Sequence, residues 1–378
     1  MIYFDNSATT EIDPEVVESM LPFLNEEYGN PSSKYYTLAE TAKKSVEESR
    51  TSVAELINSR NDEIIFTSGA SESNNFILKG ISDYLYYEKK LGNHIITSKT
   101  EHKSVLETCK WLEKRGYKIT YLNVNKYGQV DKDELEGSLT KETILVSLIW
   151  GNNELGTLNE ISSLSSMCKD RSILFHSDAT QVLGKIDIDV KSIPVDFLSF
   201  SAHKIHGPKG IGGCFIRKTK IGTKQKITPL IHGGSQEFDY RAGTHSVHNI
   251  VGFGKACEIA KREMNKNTLV LKDLETILID QIRAIYPSSQ INSHLTHKIP
   301  GVINVTLPGI NNEILIRKLR NDVAISTGSA CSLGEPSYVL KSIGLTESEI
   351  YTTIRISLSK FNTLNQVNSF INQLISIQ

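Results

Sequence analysis

The chain has 378 residues with 42 basic and 43 acidic side chains, a net charge of −1. That length suits about two domains at ~150 residues each, and the even balance excludes a global electrostatic drive toward nucleic acid or anionic membrane. Five scattered cysteines without a C-x-x-C pair argue against a disulfide framework or zinc site; with neither a signal-peptide pattern before Asp5 nor an apolar run near the ~20 residues of a membrane span, a cytoplasmic protein is expected.

In chain order, residues 6–10 form a small-residue loop, and Asp13-Pro14 starts a helix with proline at its tolerated first position. Residues 28–33 are a second loop, and 37–57 carry helical periodicity. From Glu63 strands and helices alternate, with strands at 64–66, 94–97, 118–124, 143–149, 172–175 and 195–200 and helices at 71–79 and 103–115. Such alternation predicts an α/β fold with a mostly parallel sheet covered by helices. Residues 214–217 read as one more strand, antiparallel after a glycine turn. Beyond Val251-Gly252-Phe253-Gly254 comes a long helix, about 255–285, then short strands at 302–307 and 354–359 mixed with helices. The expected organisation is a large domain, 15–254, and a smaller α+β domain made of 1–14 and 255–378.

The stretch that organises the chain is an apolar run (Val195, Phe197, Leu198, Phe200) that stops at Ser201-Ala202-His203-Lys204, with Gly207, Pro208 and Gly210 just beyond. A lysine at the end of a buried strand sits where an α/β fold places its ligand crevice. Partial burial disfavours its ammonium and makes a nucleophilic amine. By itself this segment fits an exposed loop lysine slightly better; other motifs tip the balance. Residues 64–72 read as strand, small-residue turn and helix start, a phosphate site at Ala70-Ser71, although Ser71 could be only an N-cap. Asp178 lies at the end of another strand, and His102 follows a third, in Thr100-Glu101-His102-Lys103. An ordinary imidazole pKa of about 6.5 suits proton transfer, while a lone histidine is more often structural. Cys331 stands in a glycine-punctuated segment, 326–338, poor in apolar anchors and therefore accessible. Cys109, Cys168, Cys214 and Cys257 lie in apolar helix or strand contexts and read as inert packing residues.

Together these motifs resemble the NifS/IscS-type cysteine desulfurases, pyridoxal-phosphate enzymes of the aminotransferase class V, fold-type I group. The likeness runs from Tyr3-Phe4-Asp5-Asn6-Ser7-Ala8-Thr9-Thr10 through Ser201-Ala202-His203-Lys204-Ile205-His206-Gly207-Pro208 to Ile354-Arg355-Ile356-Ser357-Leu358. It implies pyridoxal 5'-phosphate carried on Lys204, with its phosphate near Ala70, Ser71, Ser201 and His203. Asp178 would keep the ring nitrogen protonated, Gln181 would bond the phenolic oxygen, and His102 would stack on the ring and move protons. Asn153 would face cofactor and substrate. Arg355 would clamp the α-carboxylate of L-cysteine with a bidentate fork, assisted by Asn30. Thr244, in Arg241-Ala242-Gly243-Thr244, would reach the phosphate of a neighbouring subunit, which implies a homodimer. Cys331 would take the sulfur as a persulfide, release alanine, and pass the sulfur to an acceptor protein. An iron–sulfur scaffold, a tRNA thiolation relay and a DNA phosphorothioation complex are compatible acceptors, and direct nucleic-acid binding is not expected.

The chain departs from the resembling family in having Ser71 for the usual Thr and Ala202 for the usual Gly. It also has a couple of residues fewer between Cys331 and Glu335-Pro336-Ser337, worth ~7 Å of reach. A shortened segment of this kind is associated with desulfurases serving DNA phosphorothioation, and predicts low activity alone, raised by an acceptor protein. A selenocysteine lyase or another class V enzyme would keep Lys204 and Asp178. A catalytically silent assembly subunit would need none of Lys204, Asp178, His102, Gln181, Arg355 and Cys331.

Overall fold

The computed structural model describes residues 1–219, 221–327 and 336–377. The chain enters through the short strand β1 (Ile2–Tyr3), whose partner comes from near the other end of the sequence. Its central layer is a seven-stranded sheet of β2 (Ile64–Thr67), β3 (His94–Ser98), β4 (Lys118–Leu122), β5 (Thr143–Ser147), β6 (Leu174–Asp178), β7 (Phe197–Ser201) and β8 (Gly212–Ile216), ordered β2-β8-β7-β6-β5-β3-β4. β8 runs antiparallel to both its neighbours and the other pairs are parallel. Reversed against β7 and again against β2, β8 leaves β2 pointing with the parallel set. Strands β2, β3, β5, β7 and β8 are buried along their whole length, which is why they read as unbroken apolar or small-residue runs. The carboxyl ends of β2, β3, β5, β6 and β7 therefore open at one edge, where such a sheet binds ligands.

Two elements are longer than the sequence suggests. β6 continues past Phe175 through His176 and Ser177 to Asp178. The polar pair is tolerated because His176 is satisfied inside the sheet, Nδ1 at 2.8 Å from Ser147 Oγ and Nε2 at 2.9 Å from Ser199 Oγ. Burial lowers its pKa to about 4, so it is a neutral core imidazole. The long helix begins at Val247, not 255, and runs to Ile285. Its 39 residues span about 58 Å. Gly252 and Gly254 do not break it; they let it cross its neighbours closely. A Cβ on Gly254 would lie 2.6 Å from Ser49 Cα, and one on Gly252 would lie 2.6 Å from Met20 Sδ.

Beyond this helix lie β9 (Gln290–Ile291), β10 (Val302–Thr306), β11 (Val323–Ala324) and β12 (Thr353–Ser357). β12-β10-β9 form an antiparallel sheet, and β11 pairs with β1. Phe4 packs into the core of this second layer with Leu278, Ile303, Ile356 and Phe370. The N-terminal segment thus crosses from this layer onto the open edge of the large sheet. Among the described residues no helix is long and apolar enough to cross a membrane, and no cluster of histidine, cysteine or acidic side chains could hold a metal ion.

Candidate active site

A cavity of about 330 Å³ lies at the carboxyl edge of the large sheet, where several of its lining segments begin as a strand ends. After β7 the chain makes one 3₁₀ turn, Ala202–Lys204. The Lys204 amine lies between the Ser7 and Ala8 carbonyls at 2.6 and 2.7 Å. The N-terminal segment is fastened over this turn, with Thr10 N donating to His203 O at 3.0 Å and Thr9 Oγ1 lying 3.1 Å from His203 Nδ1. Burial, then the neighbouring lysine charges, lowers the His203 pKa to about 4, so the ring is neutral. After β2 the chain enters the helix Ala70–Asp83 through Gly69. Ala70 N donates to Ser201 Oγ at 2.7 Å, and Ala70, Ser71 and Ser201 line the cavity together at the positive end of that helix.

At the end of β6, Asp178 does two jobs. Its Oδ1 accepts from Thr180 N at 3.0 Å, capping the following turn, while the carboxylate also borders the cavity. Its Oδ2 accepts from Asn74 Nδ2 at 2.8 Å, and the other hydrogen of that amide goes to Ser104 Oγ, also at 2.8 Å. Ser104 Oγ is 2.8 Å from His102 Nδ1, which accepts from Ser104 N at 3.1 Å. His102 is thus the N-cap of the helix Lys103–Glu113, and the network assigns its ring proton to Nε2. Burial lowers its pKa, opposed by Asp178. Sequence reasoning missed Asn74 and Ser104. Gln181, one turn after Asp178, lines the cavity and donates through Nε2 to Ser7 O at 2.9 Å.

The opposite wall comes from the second layer. Arg355, 1 % exposed in the middle of β12, donates to Asn153 O at 2.9 Å and to Asp5 Oδ1 at 2.6 Å. Asn153 and Glu154, in the turn after β5, also line the cavity. Burial raises the Glu154 carboxyl, opposed by its hydrogen bond from Ser337 Oγ at 2.5 Å. Glu101, next to His102, is fully buried, and burial pushes its pKa up to about 8 despite hydrogen bonds from Ser98 and Ile149. Tyr338, also in the wall, donates to Glu101 O at 2.7 Å.

Lys204, His102, Ala70, Ser71, Asn153, Asp178, Gln181, Ser201, His203 and Arg355 therefore meet in one cavity, as the sequence reading expects. Asn30 and Thr244 do not line it. Asn30 is exposed, its Oδ1 accepting from Ser32 N at 3.0 Å, and Thr244 is exposed on its own loop. Cys331 lies outside the described residues. Cys109, Cys168, Cys214 and Cys257 are buried; burial pushes Cys168 up to about 12 and raises the other three as well, which keeps them as inert thiols.

Ser7 Oγ and Thr180 Oγ1, on residues of the cavity wall, find no hydrogen-bond partner among the described residues. Orphaned buried hydroxyls call for a missing partner. With a helix start at one end, a carboxylate deep in the sheet and an amine between them, the donor set fits a phosphorylated pyridine ring.

The sequence matches the family described as aminotransferase class-V over residues 2–370. It is 42% identical over 370 residues to the cysteine desulfurase IscS of Buchnera aphidicola subsp. Acyrthosiphon pisum (strain 5A), covering 97% of this chain and 90% of that one. The fold superposes on a structure titled NifS-like protein with a TM-score of 0.92 and 36% identity, covering 100% of this chain and 98% of that one. A structure of SspA in complex with cysteine matches with a TM-score of 0.83 and 36% identity, over 96% of this chain and 100% of that one. Class V aminotransferases and cysteine desulfurases use pyridoxal phosphate, the group that the cavity fits. The chain belongs to the aminotransferase class-V family, among its NifS/IscS-type cysteine desulfurases.

Proposed function

We propose that this protein is a pyridoxal-phosphate-dependent cysteine desulfurase that converts L-cysteine to L-alanine and carries the sulfur as a persulfide on Cys331. The observation that carries the reading is the convergence of Lys204, Asp178, His102, Gln181 and Arg355 on one cavity at the carboxyl edge of the sheet. When bound, pyridoxal phosphate supplies the electron sink that loosens bonds at the substrate's α-carbon and, through it, the Cβ–Sγ bond. Lys204 would hold the cofactor, and its amine, when free, rests on the Ser7 and Ala8 carbonyls. From there it gives and takes protons. His102 holds its mobile proton on Nε2, the nitrogen left over by Ser104. Asp178, fixed by Asn74, is the carboxylate that would keep a ring nitrogen protonated. Ala70, Ser71, Ser201 and His203 would hold the phosphate, Gln181 the phenolic oxygen, and Arg355, oriented by Asn153 and Asp5, the substrate carboxylate. The Cys331 thiolate then bonds to the substrate sulfur. The electrons of the broken Cβ–Sγ bond stay with carbon, which takes a proton to become the methyl of alanine.

Exposed Thr244, outside the cavity of its own chain, supports a homodimer in which each site is completed by the partner. An acceptor protein in the cytoplasm takes the sulfur, and the short segment after Cys331 favours an acceptor that raises an otherwise low turnover, as in DNA phosphorothioation. Alanine formation from L-cysteine with a reductant tests the core of this reading. Wild type is expected to form alanine and Cys331→Ala almost none; equal alanine from both would remove Cys331 from the reaction. Turnover that stays flat as purified acceptors are added would sink the acceptor-dependent part alone.

A further inference from the structure

Lys185 is a half-buried lysine that the reaction as described leaves unused. The chain after β6 makes a helical turn, so Gln181 and Lys185, four residues apart, face the same way. Lys185 Nζ lies 3.4 Å from Gln181 Oε1, while Gln181 Nε2 donates to the same Ser7 carbonyl that receives Lys204. Among the described residues no carboxylate pairs with Lys185. Asp13 and Glu263, the acids of this region, are held by Lys360 at 2.6 and 2.8 Å. Behind Lys185 is a second cavity of about 70 Å³, walled by Ile259, Met264, Leu271 and Val302, which shares Ser7 and Lys204 with the cofactor cavity. The charged and titratable groups around Lys185 are Lys204, His203 and His206 from the segment after β7, Arg355 from β12 and Lys360 beyond it. They are cations or neutral imidazoles. Burial first, then the charges of Lys204 as a free ammonium and of Arg355, brings the Lys185 pKa down to about 7; a neutral Lys204 nitrogen removes its share of that repulsion and leaves the charge to Lys185.

A glutamine amide presents an acceptor at one end and donors at the other, and an ammonium can only donate. We propose that Lys185 is a positioning residue: it pins Gln181 Oε1, which turns Nε2–H toward the Ser7 carbonyl and the cofactor cavity, and its charge holds the nearby Lys204 nitrogen in its unprotonated form. The inference rests on reading Lys204 and Gln181 as cofactor contacts.

The test is a spectrophotometric pH titration of the visible band of the holoenzyme, alongside kcat and KM for alanine formation. Removing a neighbouring cation raises the pKa of the Lys204 nitrogen, so Lys185→Met should move the spectral midpoint up by about one pH unit and lower kcat about tenfold with KM little changed. Lys185→Arg should restore the midpoint. Lys185→Gln, which keeps a donor and loses the charge, should shift the midpoint like Lys185→Met but retain more of kcat; these two variants decide the matter if Lys185→Met does not fold. A midpoint unmoved in the neutral variants, whatever their thermal stability, would overturn the proposal. A visible band that survives Lys204→Ala would instead overturn the reading of the site on which it rests.

Discussion

Two buried glutamates in this protein have opposite fates. Glu237 is 4 % exposed and Glu101 0 %, so burial alone should push both carboxyls up. For Glu237 that push is outweighed by hydrogen bonds from Arg50 and His245 and by the Arg50 charge, and its pKa falls to about 2. Arg50 grips it with two bonds of 2.8 Å, Phe66 N adds one of 2.6 Å, and His245 Nε2 another of 2.6 Å. The clamp ties the helix Thr37–Leu56 and edge strand β2 to a turn in which Glu237, Phe238 and Asp239 all have left-handed φ, at 47, 59 and 71°. Such a run of non-glycine residues persists only where its surroundings over-determine it. Glu101 has hydroxyl and amide donors but, among the described residues, no cation, and its pKa rises to about 8. Glu101 Oε2, Asn74 Oδ1, Ser7 Oγ and Thr180 Oγ1 have no partner among the described residues. Burial fixes the stakes and the partner fixes the sign. In the clamp both Glu237 oxygens are matched by donors, whereas at the catalytic edge one Glu101 oxygen is held in reserve.

The largest loss should come from opening the clamp. Arg50→Met leaves Glu237 as a buried, uncompensated charge and should cost about 3–5 kcal/mol in urea unfolding at pH 7. Arg50→Met combined with Glu237→Leu should recover much of it, since replacing both partners leaves no charge stranded. A loss near zero in the single variant would mean that His245 alone satisfies the carboxylate. The pH dependence has a definite sign. Glu237 has a lowered folded pKa, so its contribution is complete above its ordinary value of 4.5 and fades as the pH falls toward about 2.

A smaller loss is expected at Asn74, whose Nδ2 has both its hydrogens engaged. Asn74→Ala strips Asp178 and Ser104 of their donor and should cost about 1–3 kcal/mol. Because the Ser104 hydroxyl is then no longer oriented toward His102 Nδ1, which keeps only the Ser104 backbone bond, alanine formation should also fall about tenfold. Destabilisation with unchanged kcat would show that the network holds the fold and not the reaction.

What the sequence showed and what it hid follow from where each signal resides. Lys204, Asp178, His102 and Ala70 were legible because each follows an apolar strand, and alternation of strands and helices brings those ends to one edge. Asn74 and Ser104 lie inside amphipathic helices, where a polar residue on the buried face is only a break in a pattern. Ser7 and Ala8 act through backbone carbonyls, which have no side-chain signature at all. The clamp joins Arg50 to Glu237 across 187 positions with nothing local to announce it. Gly252 and Gly254 misled because a glycine that admits a crossing helix looks like one that ends a helix.

The least costly substitution should be Glu101→Gln, and it bears most directly on the contrast. Between its ordinary value of 4.5 and about 8, the folded protein keeps a proton on Glu101 that the unfolded chain has released. Stability therefore falls as the pH rises through that window. The Gln variant has no such slope. A protonated carboxyl and an amide each offer one acceptor and one donor end, so the bonds from Ser98 and Ile149 survive the exchange. Unfolding free energies should agree within about 1 kcal/mol at pH 5, with the variant gaining on wild type up to pH 8. If wild type were instead the more stable protein across that range, Glu101 would be ionised in the fold, and a cation or donor outside the described residues would have to be holding it.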